Sequence, residues 1–132
     1  MTHEETLGRF FPAMFEDDEA TLRELLAENV IWRVPPFTFE RFGDLFGREA
    51  VLGFLCGVGD EFYQPGSSKI DVDIQAVQGD QGIVMGRISA VTAAGKPYSN
   101  RYAFGFRFEA GRIAEAWELL DSVHFEAQMG GG

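Results

Sequence analysis

The chain has 132 residues, is 45% apolar and carries a formal net charge of −10. That length fits one domain around one core, residues 1–132, and that charge repels a phosphate backbone, so nucleic acid is not an expected partner. The lone Cys56 excludes an internal disulfide and fits a reducing cytoplasm. No apolar run is long enough to cross a bilayer, and the start MTHEETLGRFF lacks the basic and apolar regions of a signal peptide, so a cytoplasmic protein away from membranes is expected.

Leu7, Phe10, Phe11, Met14 and Phe15 follow helical spacing, which predicts an amphipathic helix over residues 4–16, with Pro12 kinking or weakening it. Asp17, Asp18 and Glu19 stop that helix and cap a second one, whose apolar stripe is Leu22, Leu25 and Leu26. VIWRV, residues 30–34, reads as a short strand ended by Pro35 and Pro36. Phe37, Phe39, Phe42 and Phe46 then fall in irregular chain, either plugging the end of the core or forming a lid over an apolar cavity. A third helix from Arg48 shows Val51, Phe54, Leu55 and Val58 on one side, and QPGSS, residues 64–68, is a loop.

From there the pattern changes to strands. Ile70, Val72, Ile74 and Ala76 alternate with polar residues, residues 79–82 turn the chain, 83–93 return, and 94–96 turn again. Along 98–108, Tyr98, Asn100, Tyr102, Phe104, Phe106 and Phe108 share one face while Ser99, Arg101, Ala103, Gly105 and Arg107 share the other. This period-two pattern marks a half-buried antiparallel strand. Glu109, Ala110 and Gly111 turn it into RIAEAWELLD. There Glu118 shares a face with Ala114, Ala116 and Leu120, opposite Ile113, Glu115, Trp117 and Leu119. Helices first and a strand meander afterwards indicate α+β, with helices packed on one face of a curved antiparallel sheet. The tail, 126–132, is expected to be disordered.

The paired start helices, VIWRVP, GREAV and NRYAFGFRFEAGRIAEAWELLD together resemble the SnoaL-like, ketosteroid-isomerase-like branch of the nuclear transport factor two superfamily. The resemblance implies a cone-shaped, cystatin-like α+β barrel with a deep apolar pocket for a small organic molecule, and a homodimer through the outer sheet face. It does not imply one reaction. The positions matching the isomerase oxyanion tyrosine, general base and second oxyanion donor are Phe10, Val34 and Phe104, none of which can move a proton, so true ketosteroid isomerase activity is not expected. Limonene-epoxide-hydrolase-like members use a carboxylate–arginine–carboxylate set, and Arg87 and Glu118 match two of its members while Ser89 replaces the third. Trp32 and Val34 match the tyrosine and asparagine that support the attacking water there.

These readings make Glu118 and Arg87 the catalytic candidates, with Phe10, Trp32, Val34, Ser89, Tyr102 and Phe104 expected around a ligand. Glu118 and Arg87 are expected to form an ion pair inside the cavity, either a buried structural tie between strands or a general base with its orienting cation. A one-residue slip of register would instead turn Glu118 outward. Tyr102 is a candidate polar group of the pocket, because a buried phenol seeks a partner. The two histidines, His3 and His124, lie in the tails, so no metal site and no Ser-His-Asp triad is expected, and no cofactor is implied.

Overall fold

A computed structural model of the chain describes residues 1–34 and 43–130, apart from the side chains of 58–60 and 129–130. The first helix, α1 (His3–Phe15), begins at a capping box in which Thr2 Oγ1 accepts from the Glu5 amide at 3.1 Å and the Glu5 carboxylate accepts from the Thr2 amide at 3.2 Å. Pro12 lies within the last turn, where a lost amide removes one bond near a frayed end, so the helix continues to Phe15. Asp18 caps α2 (Glu19–Leu25) by accepting from the Thr21 amide. The chain passes straight from α2 into β1 (Leu26–Arg33), longer at its start than the sequence pattern predicts. After β2 (Leu45–Phe46), the third helical stretch is divided into α3 (Arg48–Gly53), a π-helical turn over Phe54–Val58, and α4 (Gly59–Phe62). The Phe37, Phe39 and Phe42 rings expected as a plug or lid lie outside the described residues, and Phe46 is exposed on β2.

The second half forms β3 (Lys69–Gln78), β4 (Gln81–Val91), β5 (Pro97–Glu109) and β6 (Arg112–Leu120), an antiparallel meander as the alternation predicts. The six strands lie in the order β2-β1-β6-β5-β4-β3. The sheet is mixed, because β1 joins β6 in parallel, with Trp32 opposite Ala116. Parallel pairing is available here because three helices and most of the sheet separate β1 from β6 in sequence. The result is a cone-like α+β fold: a curved sheet around the N-terminal helices.

Strand β5 sets the core. Tyr98, Tyr102, Phe104, Phe106 and Phe108 are all buried on its concave face, against Leu7, Phe10 and Phe11 of α1. Phe10 stacks on Trp32 with ring centroids 5.5 Å apart, and Phe11 meets Phe104 edge-on at 5.1 Å. Each such buried ring stabilises the fold by about 1.5–3 kcal/mol relative to exposure.

Two local departures from strict alternation matter. Between Arg107 and Phe108 the β5–β6 register shifts, so Ile113 and Ala114 are both buried, and Ile113 belongs to the core rather than to the outer face expected for it. The tail differs too: Ser122–Gly130 is a helix, α5, started by Asp121, whose Oδ1 accepts from the His124 amide at 2.9 Å. Phe125 of α5 is buried against Phe62 and Tyr98, so the disorder expected from residue 126 gives way to helix as far as Gly130.

A third irregularity gives a stability test. The β3–β4 register shifts between Val72 and Ile74, and a Cβ placed on Gly86 would stand 2.4 Å from the Asp71 carbonyl oxygen. Because that obstacle is backbone, Gly86→Ala is expected to lower stability by about 1–3 kcal/mol in denaturant or thermal unfolding. Unchanged stability would contradict the close approach of β3 and β4.

Candidate functional site

The two pairings of β6 place Glu118. It stands opposite Phe104 of β5, and two residues beyond Ala116, the partner of Trp32 on β1. Ala116 and Glu118 share the concave face, so the Trp32 indole and the Glu118 carboxylate meet diagonally across the parallel pair. Trp32 Nε1 donates to Glu118 Oε1 at 3.0 Å. The indole is completely buried and needs an acceptor, and Glu118 supplies it.

Glu118 also borders a cavity of about 120 Å³ between helices and sheet. The end of α1 contributes Met14 and Phe15, and the π-helical turn contributes Phe54 and Leu55. The π-turn matters here: its extra residue per turn rotates Phe54 and Leu55 relative to α3. Phe62 and Tyr63 close one side, Phe125 of α5 another, and Ile88, Tyr102 and Phe104 form the sheet floor around Glu118. Gln64, Gly66 and Ser68 of the following loop supply polar edge groups, and Asp17 a second acid.

Behind this floor lies a group of phenols. Tyr98 Oη and Tyr102 Oη are 2.8 Å apart, and Tyr63 joins them by side-chain hydrogen bonding. Burial raises all three phenols above their usual range, and the nearby Glu118 charge adds to it. They remain neutral hydrogen-bonding groups at physiological pH. Asn100, on the same face of β5, is occupied elsewhere: its amide donates to the Asp121 carbonyl at 3.0 Å and ties β5 to the start of α5.

Of the residues expected at the site, Glu118, Tyr102 and Phe104 line the cavity. Phe10, Trp32 and Val34 are buried in the core behind it and do not line it. Arg87 and Ser89 fall on the convex face. Arg87 is exposed and donates to Ser99 Oγ at 3.2 Å, so the expected Arg87–Glu118 ion pair is absent. The reason is parity along β4: Val84, Gly86, Ile88 and Ala90 are buried, which turns Arg87 and Ser89 outward. Hydropathy alone does not choose this face, because Ile83 and Met85 are apolar as well and lie exposed on the other. Tyr63, Phe62 and Phe125 were missed. The aromatic pair just before the QPGSS loop was the available signal for the first two, while nothing in the weakly patterned tail marked Phe125. Among the described residues no three His, Cys, Asp or Glu side chains are grouped to hold a metal ion.

Without Arg87, burial dominates the titration of Glu118. Loss of water raises its pKa from 4.5 to about 7, and the Trp32 hydrogen bond pulls the other way. The native protein therefore holds a proton between these values that the unfolded chain has released, so stability falls as pH rises from about 4.5 to about 7. The shift corresponds to about 3 kcal/mol. Glu118→Gln is expected to remove this component: denaturant unfolding at pH 5 and pH 8 should show the variant gaining stability over wild type by up to about 3 kcal/mol at the higher pH. A constant difference between the two proteins would contradict the burial of this carboxyl.

Comparison with known proteins agrees with this architecture. The sequence matches the SnoaL-like domain family over residues 7–116. No curated protein matches it. An NTF2-like protein of unknown function from Burkholderia pseudomallei K96243 superimposes with a TM-score of 0.83 at 19% identity, covering 98% of each chain. A protein named as a SnoaL-like polyketide cyclase, from Jannaschia sp. CCS1, gives 0.81 at 16% identity over 98% of this chain and 92% of its own. Bal32a, from a soil-derived mobile gene cassette, gives 0.80 at 27% identity over 96% and 94%. These structures share the fold, and the family match over most of the sequence shows that the chain belongs to the SnoaL-like domain family.

Proposed function

We propose that this protein binds a small, largely apolar organic molecule in the cavity beside Glu118, and that Glu118 moves a proton at that molecule without a cofactor. One observation carries the reading: a carboxyl that lines an aromatic-walled cavity with no charged partner among the described residues, its pKa raised to about 7. Such a group both takes and returns a proton near neutral pH. Tyr102, neutral and adjacent on the floor, is the group best placed to donate to an oxygen of the ligand. This chemistry belongs to the isomerase and cyclase types, in which a proton next to a carbonyl is removed and replaced.

Two narrower activities are unsupported. Ketosteroid isomerisation lacks its polar groups, since Phe10, Val34 and Phe104 are apolar. Epoxide hydrolysis by a carboxylate–arginine set lacks its arginine, because Arg87 lies on the other side of the sheet. A non-catalytic ligand-binding protein is the second reading. It is favoured by the Trp32 contact, which gives Glu118 a structural duty independent of any reaction.

The test is exchange of α-protons of small enolisable aryl ketones in deuterated buffer, followed by proton NMR. Wild type should accelerate exchange, and Glu118→Gln should lose roughly 10²–10⁴-fold of that acceleration while keeping the fold. Equal exchange by both proteins, above background, contradicts the role of Glu118. Binding without exchange supports the second reading.

The same proposal includes a homodimer through the convex face, in a cytoplasmic setting that suits the free Cys56. Ile74, Ile83, Met85, Trp117 and Leu119 are exposed there, and the Trp117 ring lies against Gly105. A monomer would leave this apolar surface in water. Sedimentation at micromolar concentration is expected to give a dimer mass that Leu119→Arg shifts toward monomer; a monomeric wild type contradicts the dimer.

A further inference from the structure

A carboxylate set in an apolar wall is costly unless a cation faces it. Among the described residues Glu118 has no such partner. Trp32 gives it a neutral donor on one oxygen, and no arginine, lysine or histidine occurs among the described residues that line the cavity. The described groups around it come from several elements. Trp32 comes from β1, Tyr98 and Tyr102 from β5, Tyr63 from the chain after α4, and Asp17 lines the same cavity from the chain after α1. The phenols are held neutral by burial, and Asp17 is an acid. Nothing in this set offers a positive charge.

The rest of the wall is rich in π-faces and edges. Phe15, Phe54, Phe62, Tyr102, Phe104 and Phe125 all border the cavity. Aromatic walls around an acid are the surroundings that stabilise organic cations, because the ring quadrupole attracts positive charge and the rings also pack against alkyl groups. A hard metal cation needs several oxygen ligands, and among the described residues no three acidic or other metal-ligating side chains are grouped to supply them. An organic anion would be repelled by an ionised Glu118. The net charge of −10 adds a field that draws cations toward the protein from solution.

From this carboxylate, faced by no cation among the described residues, and its aromatic walls we infer that the cavity takes a small organic ammonium ion, its charge set against Glu118 and its alkyl groups against the surrounding rings. This rests on the cavity being a ligand site and does not require turnover. An ammonium ligand binds the ionised carboxylate, so it expels the Glu118 proton wherever that proton is still bound. Its affinity therefore rises with pH up to about 7 and then levels off. An uncharged ligand that accepts a hydrogen bond from the neutral acid has the opposite dependence.

Three probes of nearly one shape separate these cases: choline, its uncharged isostere 3,3-dimethylbutan-1-ol, and the anion 3,3-dimethylbutanoate. Each is titrated into the full chain by isothermal calorimetry and followed by NMR shifts of cavity residues. At pH 8 choline should bind at least about tenfold more tightly than the alcohol, and the anion should not bind. Choline should weaken by up to about tenfold on going to pH 6. Glu118→Gln should remove both the preference for choline and its pH dependence. Should that variant fail to fold, the wild-type pH comparison decides alone. The alcohol binding as tightly as choline, or choline binding that does not strengthen with pH, overturns the inference and leaves the cavity a ligand site. Shifts of cavity residues with none of the three probes overturn the ligand-site reading as well.

Discussion

The contact between the Trp32 indole and the Glu118 carboxylate is the constraint on which the cavity depends. A large ring is fully buried on β1, and its single N–H must be satisfied. The parallel pairing of β1 with β6 brings Glu118 within reach, and the bond at 3.0 Å commits one carboxylate oxygen to structure. An arginine in the place first expected for Arg87 would have held the acid ionised and well below neutrality. With Arg87 on the convex face, desolvation dominates, and the carboxyl that accepts from the core indole has its pKa raised to about 7.

The aromatic face of β5 joins core and cavity into one wall. Tyr102, Phe104, Phe106 and Phe108 stack in sequence, with centroid separations of 5.7, 6.3 and 6.4 Å. At the Phe108 end the row packs under α1, while Tyr102 and Phe104 also border open space. What separates filled core from cavity is the covering layer. Phe10 and Phe11 of α1 fill the space above Phe106. Beyond Phe15 the helix ends, and the cover passes to the π-turn, Phe62, Tyr63 and Phe125. The cavity thus sits where one helix stops and irregular elements take over, which is where a fold leaves room without weakening its main packing.

Much of this was legible in the sequence because it is encoded locally. The face of β5 follows from thirteen residues of strict alternation, and the meander follows from turns whose glycines and register agree. Glu118 was found for the same reason, as the one acid on a small and apolar face. The failures are non-local or occur where patterns are ambiguous. Arg87 was misplaced because both faces of β4 are apolar, one for the core and one for the exposed convex patch. Ile113 was misplaced by a single bulge, which alternation cannot anticipate. The Trp32–Glu118 bond spans 86 positions and depends on a parallel pairing that no local pattern announces. Phe10, Trp32 and Val34, expected around a ligand, are buried in the core instead, where Phe10 packs on Trp32.

The central claim is that Glu118 is a desolvated acid, faced by no cation among the described residues and poised near neutrality. Its most direct test is a carbon-13 NMR titration of the Glu118 side-chain carboxyl in the folded protein, assigned by comparison with Glu118→Gln. A midpoint near 7 is the result this structure predicts. A midpoint at or below the ordinary value of 4.5 would mean that the carboxylate is solvated or paired with a cation, and would contradict the account of both the cavity and its chemistry.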